Sequence, residues 1–313
     1  MANNDCSLEK GLISVIMGNY NTPVNYLREA IDSVLAQTYS NFEFIIVDDC
    51  STDDSCAAIE SYTDPRIRLI RNEKNLGLAA SMNRALELCR GEYVARMDSD
   101  DVCFPQRFEK QVAYMEQNPD VILCGSYVRF IDENGDSPRG EWRVKFTHDP
   151  DVYRIHLLFS NHPLIVHPSW MMNNRLLQEH HIRYHEPYKY AQDYSMLVRC
   201  SHYGKCDICP EVLLKYRTHG NQVSSQHKAE QIKYDYQIIQ DQLDELHLVL
   251  PEEIRDLHLR YLQVKKPYDK RLRRWLCQII KANRKYGVYN QTKLCLIIMR
   301  RWARICLERI LGK

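Results

Sequence analysis

Three predicted strands, the first two of them apolar runs, each close directly on a polar cluster and constrain this chain more than any other feature of its 313 residues. Leu12–Met17 (LISVIM) ends on Gly18-Asn19-Tyr20-Asn21, Phe42–Val47 (FEFIIV) on Asp48-Asp49, and Glu92–Met97 (EYVARM) on Asp98-Ser99-Asp100-Asp101. A β-branched run without polar alternation is the pattern of a strand buried on both faces, which demands helices on both sides of a parallel sheet. The segments between supply them. Tyr26–Ala36 places Leu27, Ala30, Ile31, Val34 and Leu35 at helical spacing, and Leu78–Cys89 turns Ala79, Met82, Ala85, Leu86 and Cys89 inward. Ser55–Tyr62 reads as a short helix and Ile67–Ile70 as a strand. Repeated βα units predict an open, mostly parallel twisted α/β sheet with helices on both faces. Ligands of such sheets bind beyond the carboxyl ends of the strands, so the three polar clusters are expected to meet at one edge.

Beyond Phe104 the pattern predicts a helix over Gln106–Gln117, a strand over Val121–Ile131 and a hairpin turn at Glu133–Asp136. Residues 142–194, rich in His and aromatics, show no regular period. Tyr194–Cys200 then reads as a helix and Val212–Tyr216 as a strand. From Lys228 the chain reads as helices: Gln231–Leu246, Glu252–Leu262, Lys270–Lys281 and Thr292–Leu311. The expected division is a domain at 1–227, with a nucleotide-binding half to about 104 and an acceptor-side half at 105–227, and a helical extension at 228–313.

The acidic run Asp98-Ser99-Asp100-Asp101 offers hard oxygen ligands for Mg²⁺ or Mn²⁺ and would leave coordination positions for phosphate oxygens. Alone it reads equally well as a cap on the helix beginning at Pro105. Asp193, in Tyr190-Ala191-Gln192-Asp193-Tyr194, likewise reads as an N-cap. Cys200, His202, Cys206 and Cys209 lack the second spaced pair of a structural zinc site and read as reduced thiols.

Taken together, LISVIMGNYN, FEFIIVDDCSTDDS, NEKNLGLAASMNRAL and GEYVARMDSDD resemble glycosyltransferase family 2, inverting enzymes of the GT-A fold, in order and spacing over about Leu12 to Ser225. The resemblance implies a nucleotide-sugar donor, UDP by family habit. It implies that Gly18, Asn19 and Tyr20 cradle the base with Tyr20 placed to stack, that Asp49 binds the base with Asp48 and Ser51 in support, and that Asn75-Leu76-Gly77 lies along the nucleotide, with Arg71 reaching a base or phosphate. It maps the family's DxD motif onto Asp98 and Asp100, with Ser99 between them and Asp101 sharing the metal. His219 and Arg217, in a late loop, become metal or phosphate contacts, His167 lines the acceptor side, and Asp193 becomes the general base for the acceptor hydroxyl. Gln192 stands where the family often has Glu. A nucleotidyltransferase, or an adaptor with a degenerate donor site, stays open; the first would carry a Gly-rich basic phosphate loop early in the chain.

The net charge of +1 hides an asymmetry. Val264–Lys313 holds fifteen Lys and Arg against two acids, leaving the preceding body near −12. Lys270–Lys281 sets Leu272, Trp275, Leu276, Ile279 and Ile280 on one stripe, and Thr292–Leu311 does the same with Leu294, Ile298, Trp302 and Ile305, both ringed by arginines. Residues 264–313 are therefore expected to lie on an anionic membrane surface rather than on nucleic acid, or else to pack the two stripes together or across a homo-oligomer. The expected place is cytoplasmic, peripheral at the inner face of the cell membrane, with a saccharide or lipid-linked saccharide acceptor of surface-polysaccharide synthesis. Arg273-Arg274-Trp275 lacks the Gln of the processive Gln-x-x-Arg-Trp motif, which favours addition of a single sugar.

Overall fold

The computed structural model describes residues 8–159, 165–220, 227–259, 261–262 and 268–310. The chain forms two compact units, Met1–Phe146 with Leu164–Gln226, and Thr147–Pro163 with His227–Lys313. The stretch Thr147–Pro163, read from the sequence as acceptor-side, belongs to the second unit.

In the first unit the elements run β1 (Glu9–Asn19), α1 (Val24–Leu35), β2 (Phe42–Asp48), α2 (Ser55–Glu60), β3 (Ile67–Arg71), α3 (Leu78–Glu87), β4 (Gly91–Asp98), β5 (Val102–Cys103), α4 (Arg107–Gln117), β6 (Val121–Ile131) and β7 (Glu141–Trp142). The chain enters the second unit for α5 (Pro150–Phe159) and returns for β8 (Met171–Asn173), α6 (Asn174–Glu179), α7 (Gln192–Cys200) and β9 (Lys205–Arg217). Among the described residues one sheet holds nine strands in the order β3-β2-β1-β4-β8-β6-β9-β5, with β7 on β6. Its first half, β3-β2-β1-β4, is parallel throughout, as the buried apolar runs require. Past β4 the sheet is mixed, because β8 pairs antiparallel to both β4 and β6 while β6 and β9 run parallel.

Alternate residues of the parallel strands face opposite layers. Ile13, Val15 and Met17 of β1 and Phe44 and Ile46 of β2 share a core with Leu27, Ala30, Ile31 and Val34 of α1, and each of the larger side chains contributes roughly 1.5–3 kcal/mol by its burial. α3 packs on β1 and β2. The helix expected at Tyr26–Ala36 starts two residues earlier, after Pro23, whose fixed φ suits a helix start. The strand expected at Val212–Tyr216 extends back to Lys205 through Cys206 and Cys209. Burial pushes the Cys200 thiol up to about 12 and that of Cys209 up to about 11, so both sit in the walls as neutral thiols.

Residues 142–194 contain α5, α6 and β8, which no period disclosed. β8 is three residues long and α6 six, too short for a period to register, and α6 is declared only by its cap, Asn173 Oδ1 accepting from Leu176 N at 3.2 Å.

The second unit is helical: α5, α8 (Lys228–Asp244), a 3₁₀ turn (Glu252–Ile254) leading into α9 (Arg255–Leu259), α10 (Lys270–Tyr286) and α11 (Gln291–Ile310). The continuous helix expected over Glu252–Leu262 is thus a 3₁₀ turn and a short helix, and Leu311 lies outside the described residues. The stripes assigned to a membrane are largely core. Leu272, Trp275, Leu276, Ile279, Leu294, Ile298 and Ile305 are all buried within this unit. Trp275 Nε1 donates to His258 Nδ1 at 2.9 Å and His258 Nε2 lies 2.8 Å from the Leu158 carbonyl, so the ring is held neutral as its Nε2–H tautomer. Burial pushes that imidazole down to about 4. No helix among the described residues is long and apolar enough to cross a membrane.

Candidate active site

The three strand ends meet. Gly18 and Asn19 of β1 stand in register with Asp98 of β4 and Asp48 of β2. Asn19, 1% exposed, ties the first loop to the second, its Nδ2 lying 2.7 Å from Asp48 Oδ1, 3.1 Å from Ser51 Oγ and 2.9 Å from Ser55 Oγ. Thr22 Oγ1 and Ser99 Oγ, 2.7 Å apart, tie the first loop to the third. Gly18 lies where a Cβ would come within 3.1 Å of Leu78 Cδ1 and 3.2 Å of Met82 Cε, so it lets α3 close on the end of β1. Tyr20 follows directly and is 52% exposed.

Asp49 organises the loop before α3. Its Oδ1 accepts from Asn72 Nδ2 at 2.6 Å and from Leu76 N at 2.9 Å, and its Oδ2 accepts from Gly77 N at 2.8 Å. The carboxylate thus fixes the Asn75-Leu76-Gly77 segment. Gly77 has φ 86° and ψ 162°, a conformation essentially restricted to glycine, and it forms the N-cap position of α3. Asn75 is exposed. Arg71 leans on α2, paired with Glu60 and 3.1 Å from Cys56 Sγ.

The third loop carries the charge. Asp98, Asp100 and Asp101 each bring one ligand atom within 4.8 Å of the others. Asp101 is 1% exposed; its Oδ1 accepts from Arg217 N at 2.8 Å, while Oδ2 is buried without a protein partner. Burial, then the charges of Asp100 and Asp98, raise the Asp101 carboxyl well above the ordinary range, and burial, then Asp98, raise that of Asp100. Crowded, desolvated carboxylates with an orphan oxygen fit a hard divalent cation, whose charge removes the repulsion. His219 Nε2 lies 2.9 Å from Asp100 Oδ2, within reach of the same site.

Arg217 comes to the site as a strut. It is 1% exposed, donates from Nε to the Asp100 carbonyl (2.8 Å), from Nη1 to the Asp132 carbonyl (3.2 Å) and from Nη2 to Glu29 Oε2 (2.6 Å), and stacks 4.3 Å from the Tyr26 ring centre. His219 packs against the same tyrosine at 6.0 Å. Beside them opens a cleft of about 440 Å³ lined by Asp132, Glu133, Asn134, Arg139, Thr218 and His219.

Asp193 stands in the first turn of α7, its Oδ1 accepting from Tyr194 N at 2.8 Å. Burial raises its carboxyl, and the field of Asp98 adds to that rise. His167 Nε2 lies 2.9 Å from Tyr184 OH, and burial holds this imidazole well below its usual range. Sequence reasoning missed three residues here. Arg96 is fully buried, pairs with Asp98 through Nη2, and leaves Nε and Nη1 without a partner. Tyr216 feels the fields of Asp101, Asp98, Asp100 and Asp193 together, and Glu29 anchors Arg217. Arg96 could have been suspected: a charged residue near the end of a strand, two residues before an aspartate, points to the same side of the strand.

The family profile described as Glycosyl transferase family 2 matches residues 14–180. An uncharacterized glycosyltransferase of Methanocaldococcus jannaschii is 41% identical over 217 residues, covering 67% of this chain and 72% of that protein. The amylovoran biosynthesis glycosyltransferase AmsE of Erwinia amylovora is 31% identical over 232 residues, covering 72% of this chain and 84% of AmsE. The UDP-Glc:alpha-D-GlcNAc-diphosphoundecaprenol beta-1,3-glucosyltransferase WfgD of Escherichia coli is 36% identical over 116 residues, 37% of this chain and 46% of WfgD. Among solved structures, S. aureus TarS 1-349 in complex with UDP-GlcNAc superposes with a TM-score of 0.61 at 18% identity, covering 96% of this chain and 92% of that one, which places the fold with GT-A enzymes. The chain is a glycosyltransferase and belongs to glycosyltransferase family 2.

Proposed function

We propose that this enzyme moves a single sugar from a UDP-sugar to a saccharide or lipid-linked saccharide acceptor in cell-surface polysaccharide synthesis, with inversion. The donor assignment draws on TarS, solved with UDP-GlcNAc, and on WfgD, named for UDP-Glc; the acceptor assignment draws on WfgD and AmsE. The observation that carries the reading is the acidic cluster, three carboxylates with ligand atoms within 4.8 Å and one orphan buried oxygen, at the edge where three strand loops meet.

Asp98, Asp100, Asp101 and His219 would hold Mn²⁺ or Mg²⁺, which supplies neutralising charge to the leaving diphosphate. Tyr20 stacks on the base, and Asp49 sets the Asn75–Gly77 backbone beside the nucleotide, with Gly18 and Asn19 shaping the first loop. Asp193 takes the proton of the acceptor hydroxyl as its oxygen bonds to the anomeric carbon and the bond from that carbon to the diphosphate oxygen breaks. Its raised carboxyl makes it a stronger base than a free aspartate once ionised. Ser99 holds the third loop against Thr22. Arg71, tied to Glu60, acts at most at the rim, and Arg217 serves by positioning Asp100 and Asp101. The basic helices of the second unit keep the enzyme at an anionic membrane. The domain reading is a GT-A catalytic part within 1–227 and a helical attachment part built on 228–313.

Nucleotide release from UDP-, GDP- and dTDP-sugars, with and without Mn²⁺, tests the donor reading. Metal-dependent release of UDP alone, lost in Asp100→Asn, is expected; equal release from all three would refute UDP selectivity.

A further inference from the structure

With the stripe through Leu294, Ile298 and Ile305 buried, α11 carries a second apolar stripe that is not. Leu296, Met299, Leu307 and Ile310 are 45%, 64%, 55% and 79% exposed, and Ala303 is exposed among them. Steps of three and four residues put all five on one face. At about 100° per residue that face lies roughly opposite Leu294, Ile298, Arg301 and Ile305, which are buried. α11 is thus apolar on two sides, and folding of the unit uses one of them.

Charge says what covers the other. Between Lys270 and Ile310 stand twelve Lys and Arg and a single acid, Glu308. Glu308 is already engaged by Arg304, Nε to Oε1 at 3.0 Å. Arg300 and Arg304 are exposed and border the stripe on one side. A second copy of the chain would bring the same positive charge to this face, whereas an anionic leaflet offers hydrocarbon to the stripe and phosphates to the arginines.

We propose that α11 docks on an anionic lipid bilayer through Leu296, Met299, Ala303, Leu307 and Ile310, with Arg300 and Arg304 at the headgroup phosphates. This deepens the membrane reading above and rests on it, assigning contact to the face opposite the one the sequence pattern singled out. It is independent of the donor site.

The full-length protein is sedimented with vesicles of phosphatidylcholine alone or with added phosphatidylglycerol. The wild type should bind the anionic vesicles, and less as salt is raised. Met299→Glu/Leu307→Glu should bind about 100-fold less, because two apolar contacts are lost and two like charges are set against the surface. Its UDP release and melting temperature should match the wild type, since both positions are exposed. Met299→Leu/Leu307→Phe, which keeps the stripe apolar, should bind at least as well as wild type. Equal binding by the glutamate variant would overturn the assigned face while leaving membrane attachment standing. Absence of wild-type binding to anionic vesicles would overturn both. A wild-type dimer in light scattering that the glutamate pair disperses, without vesicle binding, would give the stripe to a second copy instead.

Discussion

Replacing Arg217 by Met separates a strut from a phosphate ligand. Arg217 is 1% exposed, and its guanidinium donates to the carbonyls of Asp100 (2.8 Å) and Asp132 (3.2 Å) and to Glu29 Oε2 (2.6 Å). A hydrogen bond from a charged donor is worth about 1.5–3 kcal/mol net, and the longer one to Asp132 belongs at or below the low end. Glu29 is 53% exposed, so its ion pair adds only about 0–1 kcal/mol. Stacking on Tyr26 adds about 1 kcal/mol, and Met recovers part of the burial. The net loss should be about 3–4 kcal/mol, or about 6–16 °C in the melting temperature of a unit this size. Glu29→Gln, which keeps a carbonyl acceptor, should cost under about 1 kcal/mol. Thermal unfolding followed by circular dichroism measures both, alongside the donor KM. An Arg217→Met protein that melts with the wild type but binds donor poorly would refute the strut and return Arg217 to the diphosphate.

Other outcomes follow from the same geometry. Asp193→Asn should reduce transfer by about 10²–10⁴-fold with UDP binding intact. Because burial raises the Asp193 carboxyl and the base acts ionised, wild-type transfer should climb as pH rises through that raised value, and a rate flat across the acid limb would count against it. Asp101 has its folded-state carboxyl raised, so ionising it weakens the metal-free fold: the cost is absent below the ordinary carboxylate range and complete above the raised value. Asp101→Asn should therefore raise the melting temperature of metal-free protein at neutral pH while lowering activity, and a lower melting temperature would contradict this. Gly77→Ala meets nothing within 4 Å, so its cost is backbone strain alone, about 1–3 kcal/mol, with weaker UDP binding as the loop shifts off Asp49; unchanged melting and affinity would show the φ to be dispensable.

The centre of the parallel half was legible because β1 and β2 are buried on both faces and write that fact as nearly unbroken apolar runs, while β3 and β4 were placed by the helices that separate them. The residues beyond β4 were not, since β8 pairs for only three residues and its place between β4 and β6 is fixed by contacts distant in sequence. Asp98, Asp100 and Asp101 could be located at a strand end, but a run of acids does not disclose that Asp101 Oδ2 lacks a partner. Asp49 was found, though not its grip on Leu76 and Gly77, which depends on how α3 returns to the sheet. Arg217 was singled out, but its protein acceptors were not, because they lie on α1 and just past the end of β6. The amphipathic pattern of α10 and α11 was real; periodicity reports that a face is apolar and leaves open whether protein or lipid covers it.

The most direct test of the metal–diphosphate centre is titration of Mn²⁺ into the protein in the presence of UDP, followed by the loss of the free-ion electron paramagnetic resonance signal. Wild type should bind Mn²⁺ with UDP and more weakly without it, and Asp100→Asn should lose most of that binding while keeping its fold. UDP-dependent Mn²⁺ binding that is unchanged in Asp100→Asn would contradict the assignment of Asp98, Asp100 and Asp101 as the centre of the site.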